Sequence, residues 1–512
     1  MSNQPIVWTI AGSDSGGGAG IQADLKTMNS LGVYGASVIT AITAQNTLGV
    51  EHIEPVQLKA VKAQLDCLRE DMPPQAVKLG MLYSAQCVEA VAAALDGLKT
   101  RIVCDPVLVA TSGDDLYEST LLANMKERLL PLVDLLTPNL REAHLLLGRS
   151  MDRFRELPNQ QDRDDCVEDL AGKLIGLGVK SVLIKGGDEG GEYSQDFWTN
   201  GREKAWLTSF RQVTRSTHGT GCTLASAASA CIALGYSLLD ALVIAKAYVN
   251  QGLRSAPGLG KGQGPLAHLA WPENQDDIPW LTKQADQGRN RHEFPDCGHE
   301  AIGFYPIVDS AERVEKLVRQ GVRTIQLRLK NVSDRIVEQE TIESIRVASE
   351  GNSRLFINDY WQLAIKHQAY GVHLGQQDLD SADLSAIAQA GLRLGVSTHN
   401  YAEVAVALSL RPSYMAVGPI FATSSKPVDT LPQGLLALRR WRRSLKYPLV
   451  AIGGINLQNA KEVLAAGADG IAVIKGIASQ ADSEASVNAW LKLFTHELAD
   501  SKSISATARS RF

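Results

Sequence analysis

Short apolar runs rich in β-branched residues alternate with longer amphipathic stretches along most of the chain. In the first half this pattern predicts strands at Ile6–Ala11, Val77–Met81, Arg101–Asp105, Asp134–Thr137 and Ser181–Lys185. Helical periodicity lies between them, as at Ile21–Leu31 and Val88–Leu95. Such alternation implies parallel strands joined by helical crossovers. The most apolar long segment, Leu224 to Val249, is rich in Ala and Ser and carries Asp240 and Lys246. It predicts a buried helix pair rather than a membrane span.

The pattern then breaks. Pro272–His299, PENQDDIPWLTKQADQGRNRHEFPDCGH, is polar and aperiodic and is expected to be a linker. Beyond it eight apolar runs recur: Phe304–Val308, Thr324–Leu329, Arg354–Ile357, Gly371–Leu374, Arg393–Val396, Tyr414–Val417, Pro448–Ile452 and Gly470–Ile474. A helical stretch follows each. Eight such units in about 200 residues suit a (β/α)8 barrel. A doubly wound open sheet is the rival, and polar and glycine-rich residues just after each strand favour the barrel. The expected division is a domain at 1–271, a linker at 272–299, a second domain at 300–499 and a flexible tail at 500–512.

Composition narrows the class. With 45% hydrophobic and 21% charged residues, the chain is neither disordered nor a fibre nor a disulfide-stapled miniprotein. A net charge of −5 gives no reason to expect nucleic acid or an anionic membrane as partner. The seven cysteines are scattered, without a C-x-x-C, so reduced thiols in a cytoplasm are expected. The N-terminal MSNQPIVWTIAGSD lacks a basic region and a cleavable apolar stretch. Nothing in the pattern sets the oligomeric state, so a homo-oligomer stays open.

The 44 glycines are clumped. In TIAGSDSGGGAGIQADLKT, the run Gly16, Gly17, Gly18 and Gly20 leaves a strand and enters a helix. Its amides either approach a ligand closely or simply form a tight turn. In THGTGCTLASAASA, Gly219 and Gly221 precede a small-residue helix whose free N–H groups suit an anion. Cys222 sits in its first turn, where the dipole favours a thiolate, or it is a small packing residue. In DLLTPNLREAHLLLG, Asn139 and Glu142 stand three apart at a strand-to-helix junction. They would serve as oxygen ligands for Mg2+ or as an ordinary helix cap. Asp105 and Lys185 each end a strand, and Lys185 is placed to contact a phosphate.

Together with VITAITAQNT, VKLGML, DPVLVATSG, IKGG and HGTGC, these motifs resemble the hydroxymethylpyrimidine/phosphomethylpyrimidine kinases of the ribokinase-like superfamily, over about residues 5–271. The resemblance implies a three-layer α/β/α domain. It assigns the aminopyrimidine to Gly12, Asp24, Gln45 and Met81, and ATP with Mg2+ to the neighbourhood of Asp105, Asn139, Glu142 and Lys185. Cys222 would be the base of the first phosphoryl transfer. The amides from Gly219 through Gly221 to Cys222 would form the anion hole.

In the second half, strand ends carry the chemistry. QLRLK puts Gln326, Arg328 and Lys330 on one side, with Ile325, Leu327 and Leu329 on the other. FINDY offers Asn358 and Asp359, and GVHLGQQDLD offers Asp378. Two carboxylates from neighbouring strand ends would share a Mg2+, whereas either alone is more often a helix cap. GVSTH offers Ser397, and GPIFATSSK offers Thr423, Ser425 and Lys426. Glycines after the last two strands suit a phosphate.

The motifs QLRLK, FINDYWQLAIKHQAYGVHLGQQDL, LGVSTH, GPIFATSSK, AIGGI and AGADGIAV resemble the thiamine-phosphate synthases, over about residues 302–497. The resemblance implies that Gln326, Arg328, Lys330 and Asn358 hold a pyrimidine diphosphate and that Asp359 and Asp378 bind Mg2+. Ser397, Thr423, Ser425 and Lys426 would line the reacting centre, and Gly454 would cradle a thiazole phosphate. Ile474 and Lys475 stand where the family often has Val-Ser or Ile-Ser, which leaves Lys475 either a phosphate ligand or outward-facing. A kinase for pyridoxal or a sugar, a thiazole tautomerase, and a degenerate binding half are the competing readings. Gln45, Met81, HGTGC and the intact Gln326/Arg328/Lys330 and Asp359/Asp378 sets disfavour them.

Overall fold

The computed structural model describes residues 4–109, 118, 120–187, 190–288, 292–298, 301–423, 432–474 and 484–495. The chain divides into two compact units, 1–290 and 291–512. The tail expected at 500–512 lies outside the described residues.

The first unit is built on one ten-stranded sheet. Its strands are β1 (Ile6–Asp14), β2 (Tyr34–Gln45), β3 (Val50–Pro55), β4 (Ala76–Leu79), β5 (Arg101–Cys104), β6 (Leu135–Leu136), β7 (Val182–Ile184), β8 (Tyr193–Thr199), β9 (Lys204–Phe210) and β10 (Trp280–Thr282). They lie in the order β10-β9-β8-β7-β6-β5-β4-β1-β2-β3. The central strands, from β2 through β7, pair in parallel. The margins are antiparallel: β3 on β2, then β8, β9 and β10 beyond β7. The five strands expected from the apolar runs, β1, β4, β5, β6 and β7, are among the parallel ones, and the antiparallel margins come in addition. Central strands such as β4 and β6 are buried throughout, as crossovers on both faces require. The apolar stretch Leu224 to Val249 falls within two helices, Thr220–Ala233 and Leu238–Arg254, and both are largely buried.

Within the segment expected as a linker, the described residues 272–288 belong to the first unit and 292–298 to the second. Trp280–Thr282 pairs with Thr208–Trp206 of β9, and Trp280 packs edge-on against Phe210, ring centroids 5.0 Å apart. Arg254 forks onto Asp277, whose carboxylate is fully covered. Polar composition misled because the segment binds through backbone groups and a buried ion pair, neither of which leaves a periodic signal.

The second unit is a closed barrel of eight parallel strands. They are β11 (Gly303–Val308), β12 (Thr324–Leu327), β13 (Arg354–Asn358), β14 (Gly371–Leu374), β15 (Arg393–Thr398), β16 (Tyr414–Val417), β17 (Leu449–Ile452) and β18 (Gly470–Val473). β18 closes on β11 through Gly303↔Gly470. The open-sheet rival is thereby excluded. Residues 292–298 cap the lower end of the barrel. The Cys297 carbonyl accepts from Arg354 and Tyr370, Pro295 accepts from Ser413 Oγ, and the Cys297 side chain packs with Tyr305, Phe356 and Tyr414 inside.

Candidate functional site

In the first unit, chemistry-bearing side chains gather at the C-terminal ends of the parallel strands, where an open α/β sheet presents its crevice. Helix Thr220–Ala233 starts there. Its N-cap is Gly219 at φ 82°, a left-handed conformation that glycine adopts without strain. A Cβ on Gly219 would also collide with the Gly18 carbonyl. Gly221 faces the other way: a Cβ there would stand 2.9 Å from Lys185 Nζ and 3.2 Å from an Asp105 oxygen. Lys185 Nζ donates to Asp105 Oδ1 at 2.6 Å. The helix N-terminus, Lys185 and Asp105 thus meet in one place.

Cys222 lies just inside that helix and is buried. Burial pushes its thiol up to about 11, against the pull of Lys78, which favours the thiolate. Asn139 and Glu142 form a reciprocal helix cap: Glu142 N donates to Asn139 Oδ1 at 2.8 Å, and Asn139 N to Glu142 Oε2 at 2.9 Å. The second Glu142 oxygen accepts from Leu108 N. The cap reading is the geometric one, so direct ligation of Mg2+ by Asn139 Oδ1 competes with a bond already made. Burial raises the Glu142 carboxyl to about 7, although Lys185 opposes the shift.

Of the two readings of the glycine run, the tight turn is the one observed. The amides of Gly16, Gly18 and Ala19 all donate to the Asp14 carboxylate at 2.7–2.9 Å. Asp14 also meets His218 Nε2 at 3.0 Å. Burial works against the Asp14 charge, but His218 and the amides outweigh it and hold the carboxyl below its usual range. The glycine run is therefore wrapped around an internal anion and pinned to the HGTGC turn. The Gly186 amide also donates inward, to Asp196.

Asp24 also departs from its assignment. It is fully buried, accepting from Thr9 Oγ1 (2.5 Å), Lys78 Nζ (2.8 Å) and Ser226 Oγ (2.6 Å). From helix Gly20–Ser30 its carboxylate ties β1, β4 and helix Thr220–Ala233 together, so its hydrogen-bonding capacity is largely taken up within the protein. Gly12, Gln45 and Met81 do remain near the strand ends; Gly12 packs on Met81, and half-buried Gln45 ends β2.

In the second unit, Lys330 Nζ pairs with Asp359 at 2.6 Å. Asp359 has φ 67°, a left-handed conformation unusual outside glycine. Burial and then the neighbouring Asp359 charge raise the Asp378 carboxyl, with Lys330 opposing. Two close carboxylates served by one lysine are short of positive charge, so a divalent cation fits them. Among the described residues no group of three or more His, Cys, Asp or Glu could hold a metal, so the remaining ligands would be water and substrate oxygens.

Asn358 ends β13, buried, in register with His373 on β14. Arg328 follows β12 and is half-buried, its amide bonded to Val308. Gln326 points into the barrel and donates to Tyr305 OH at 3.3 Å. Tyr305 OH meets Tyr414 OH (2.8 Å), Tyr414 OH meets His373 Nδ1 (2.7 Å), and His373 Nε2 meets Ser397 Oγ (2.9 Å). This buried chain was not foreseen, although strand alternation in GVHL aims His373 inward. Gly454, at φ 66°, lies against the Phe421 and Ala422 backbone, Ile474 packs at the barrel interior and Thr423 is half-buried. Ser425, Lys426 and Lys475 lie outside the described residues.

Known proteins agree with this division. The phosphomethylpyrimidine kinase family matches residues 14–267, and the thiamine monophosphate synthase family matches residues 304–477. A probable thiamine biosynthetic bifunctional enzyme, chloroplastic, from Oryza sativa is 34% identical over 490 residues, 92% of this chain and 86% of its own. The chain belongs to the bifunctional thiamine-biosynthetic enzymes. A Synechococcus elongatus hydroxymethylpyrimidine/phosphomethylpyrimidine kinase is 45% identical over 52% of this bifunctional enzyme and 97% of its own length. A Klebsiella pneumoniae thiamine-phosphate synthase is 54% identical over 38% of this chain and 92% of its own. No helix among the described residues of the bifunctional enzyme is long and apolar enough to cross a membrane.

Proposed function

We propose that the first unit phosphorylates 4-amino-5-hydroxymethyl-2-methylpyrimidine from ATP, first to the monophosphate and then to the diphosphate. The second unit couples that diphosphate with thiazole phosphate, giving thiamine phosphate and pyrophosphate. The observation that carries the kinase reading is the convergence of Cys222, the Gly219–Gly221 turn, Lys185 and Asp105 at one helix N-terminus. Those amides and Lys185 stabilise charge building on the transferred phosphoryl group. Cys222 takes the hydroxyl proton in the first transfer. Gly12, Gln45 and Met81 hold the pyrimidine. Glu142 is the carboxylate for the Mg2+ of ATP, which neutralises the phosphates.

In the barrel, Arg328 and Lys330 bind the leaving pyrophosphate, and Asn358 and Gln326 orient the pyrimidine. Asp359 and Asp378 would hold Mg2+, which adds charge stabilisation to the same leaving group. Ser397 and Thr423 face the methylene carbon, joined by Ser425 and Lys426 of the same motif, and Gly454 and Lys475 take the thiazole phosphate. The thiazole nitrogen captures the cation, so no strong base is needed. The test is to incubate the whole chain with ATP, Mg2+, hydroxymethylpyrimidine and thiazole phosphate. Thiamine phosphate is the expected product; its absence, with both substrates unconsumed, overturns the reading.

A further inference from the structure

Lys78 and Asp24 form an ion pair with no exposed side-chain surface on either partner. A wholly buried pair recovers little of its desolvation cost, and well-packed apolar residues often serve stability as well or better. Its position suggests another use. Asp24 is fixed from three sides by Lys78, Thr9 and Ser226. Ser226 lies four residues after Cys222 in helix Thr220–Ala233, so the two share one face, a single turn apart. Lys78 lies one residue before the end of the buried β4, and its Nζ would stand 2.8 Å from a Cβ on Gly80, just beyond that strand.

We propose that Lys78, held by the Asp24 carboxylate that Ser226 of the same helix also binds, is a positioning residue that sets the charge state of Cys222. This deepens the kinase reading and rests on it only for the use to which the cysteine is put. The charged groups facing Cys222 are Lys78 from β4, Asp24 from helix Gly20–Ser30, Asp105 after β5 and Lys185 after β7. Lys78 favours the thiolate; Asp24 and Asp105 oppose it. The pair is therefore a graded source of positive potential, with the carboxylate setting how much of the ammonium the sulfur feels. In the first transfer the thiolate accepts the substrate hydroxyl proton as the O–P bond forms and the bond from phosphorus to ADP breaks. A nearby ammonium stabilises the thiolate in readiness for that step.

Two variants should move Cys222 in opposite directions, which a purely structural role does not produce. The readout is alkylation of Cys222 by iodoacetamide in the full-length protein, followed by peptide mass spectrometry against pH, with exposed Cys67 as internal control. Lys78→Met is expected to slow alkylation at pH 8 about tenfold, and Asp24→Asn to speed it about tenfold, because only thiolate reacts. Ser226→Ala strips a donor from Asp24 and should act in the direction of Lys78→Met. If Lys78→Met does not fold, the opposed pair Ser226→Ala and Asp24→Asn carries the test. Shifts of the same sign, or none, overturn the proposal. Opposed shifts without any change in the first phosphorylation rate would leave the charge coupling standing and remove Cys222 as proton acceptor.

Discussion

A buried thiol and a pair of crowded carboxylates are each costly in isolation, and each becomes intelligible once its partner is supplied. For Cys222 the partner is the substrate hydroxyl. Cys222→Ser should slow the first phosphorylation by about 10²-fold, the lower end of general-base contributions, and the second by less than about tenfold. The acceptor in the second transfer is an ionised phosphate, so a base matters less. Assays on the separate substrates decide it, and equal losses would falsify the base role. In the barrel, Asp359→Ala or Arg328→Ala should cut synthase turnover about 10²–10³-fold and leave the kinase unchanged. Glu142 carries a pH signature. Its folded value, about 7, lies above the ordinary 4.5, so its contribution to stability is full below the ordinary value and lost as pH rises through the folded one. In metal-free protein, Glu142→Gln should therefore gain melting temperature relative to wild type as pH rises from about 4.5 to about 7. A pH-independent difference would contradict the burial account. At this scale the sequence displayed the reactive types but not their partners. Asp24 and Lys78 meet across 54 positions, and Asp14 and His218 across 204. No local pattern encodes such pairs.

Elements were legible where burial is complete. All eight barrel strands lie where the apolar runs placed them, because a parallel strand covered on both faces reads as a continuous apolar run. β2, β8 and β9 left weaker traces. β2 is YGASVITAITAQ, its small and hydroxyl-bearing residues alternating between buried and half-exposed positions. β8 and β9 lie in the antiparallel margin, where a strand depends on its neighbours more than on its own composition. The helix N-terminus at Gly219 gives an element-scale prediction. Gly219→Ala forces a side chain into a left-handed position against the Gly18 carbonyl. The conformational strain alone is about 1–3 kcal/mol, and the backbone contact adds to it. Kinase activity and the melting of the first unit should fall together, while synthase activity stays; an unchanged melting transition would sink this account.

For the whole molecule, the joint matters most. Cutting at 271, where the polar composition begins, removes β10 and Asp277 from the first unit. A fragment ending at 290 should melt at least about 5 °C above one ending at 271, since each kcal/mol is worth about 2–4 °C in a domain of this size. Likewise a barrel fragment beginning at 291 keeps the Cys297 cap that one beginning at 300 loses. Intact halves cut at 290 also give the fair test of the fusion. If tethering raises the local supply of diphosphate, thiamine phosphate should appear with a shorter lag from the whole chain than from equimolar halves.

The closure of β18 onto β11 has a consequence for the chain as it leaves the ribosome. Every strand of the first unit has been synthesised by residue 282, before β11 begins at Gly303. That sheet can be complete while the barrel is still unmade. β11, by contrast, waits for Gly470. At elongation rates of about 5–20 residues per second, one of its edges stays unpaired for about 8–33 s. Nascent barrels, not nascent kinases, are then the species most in need of protection from their own kind.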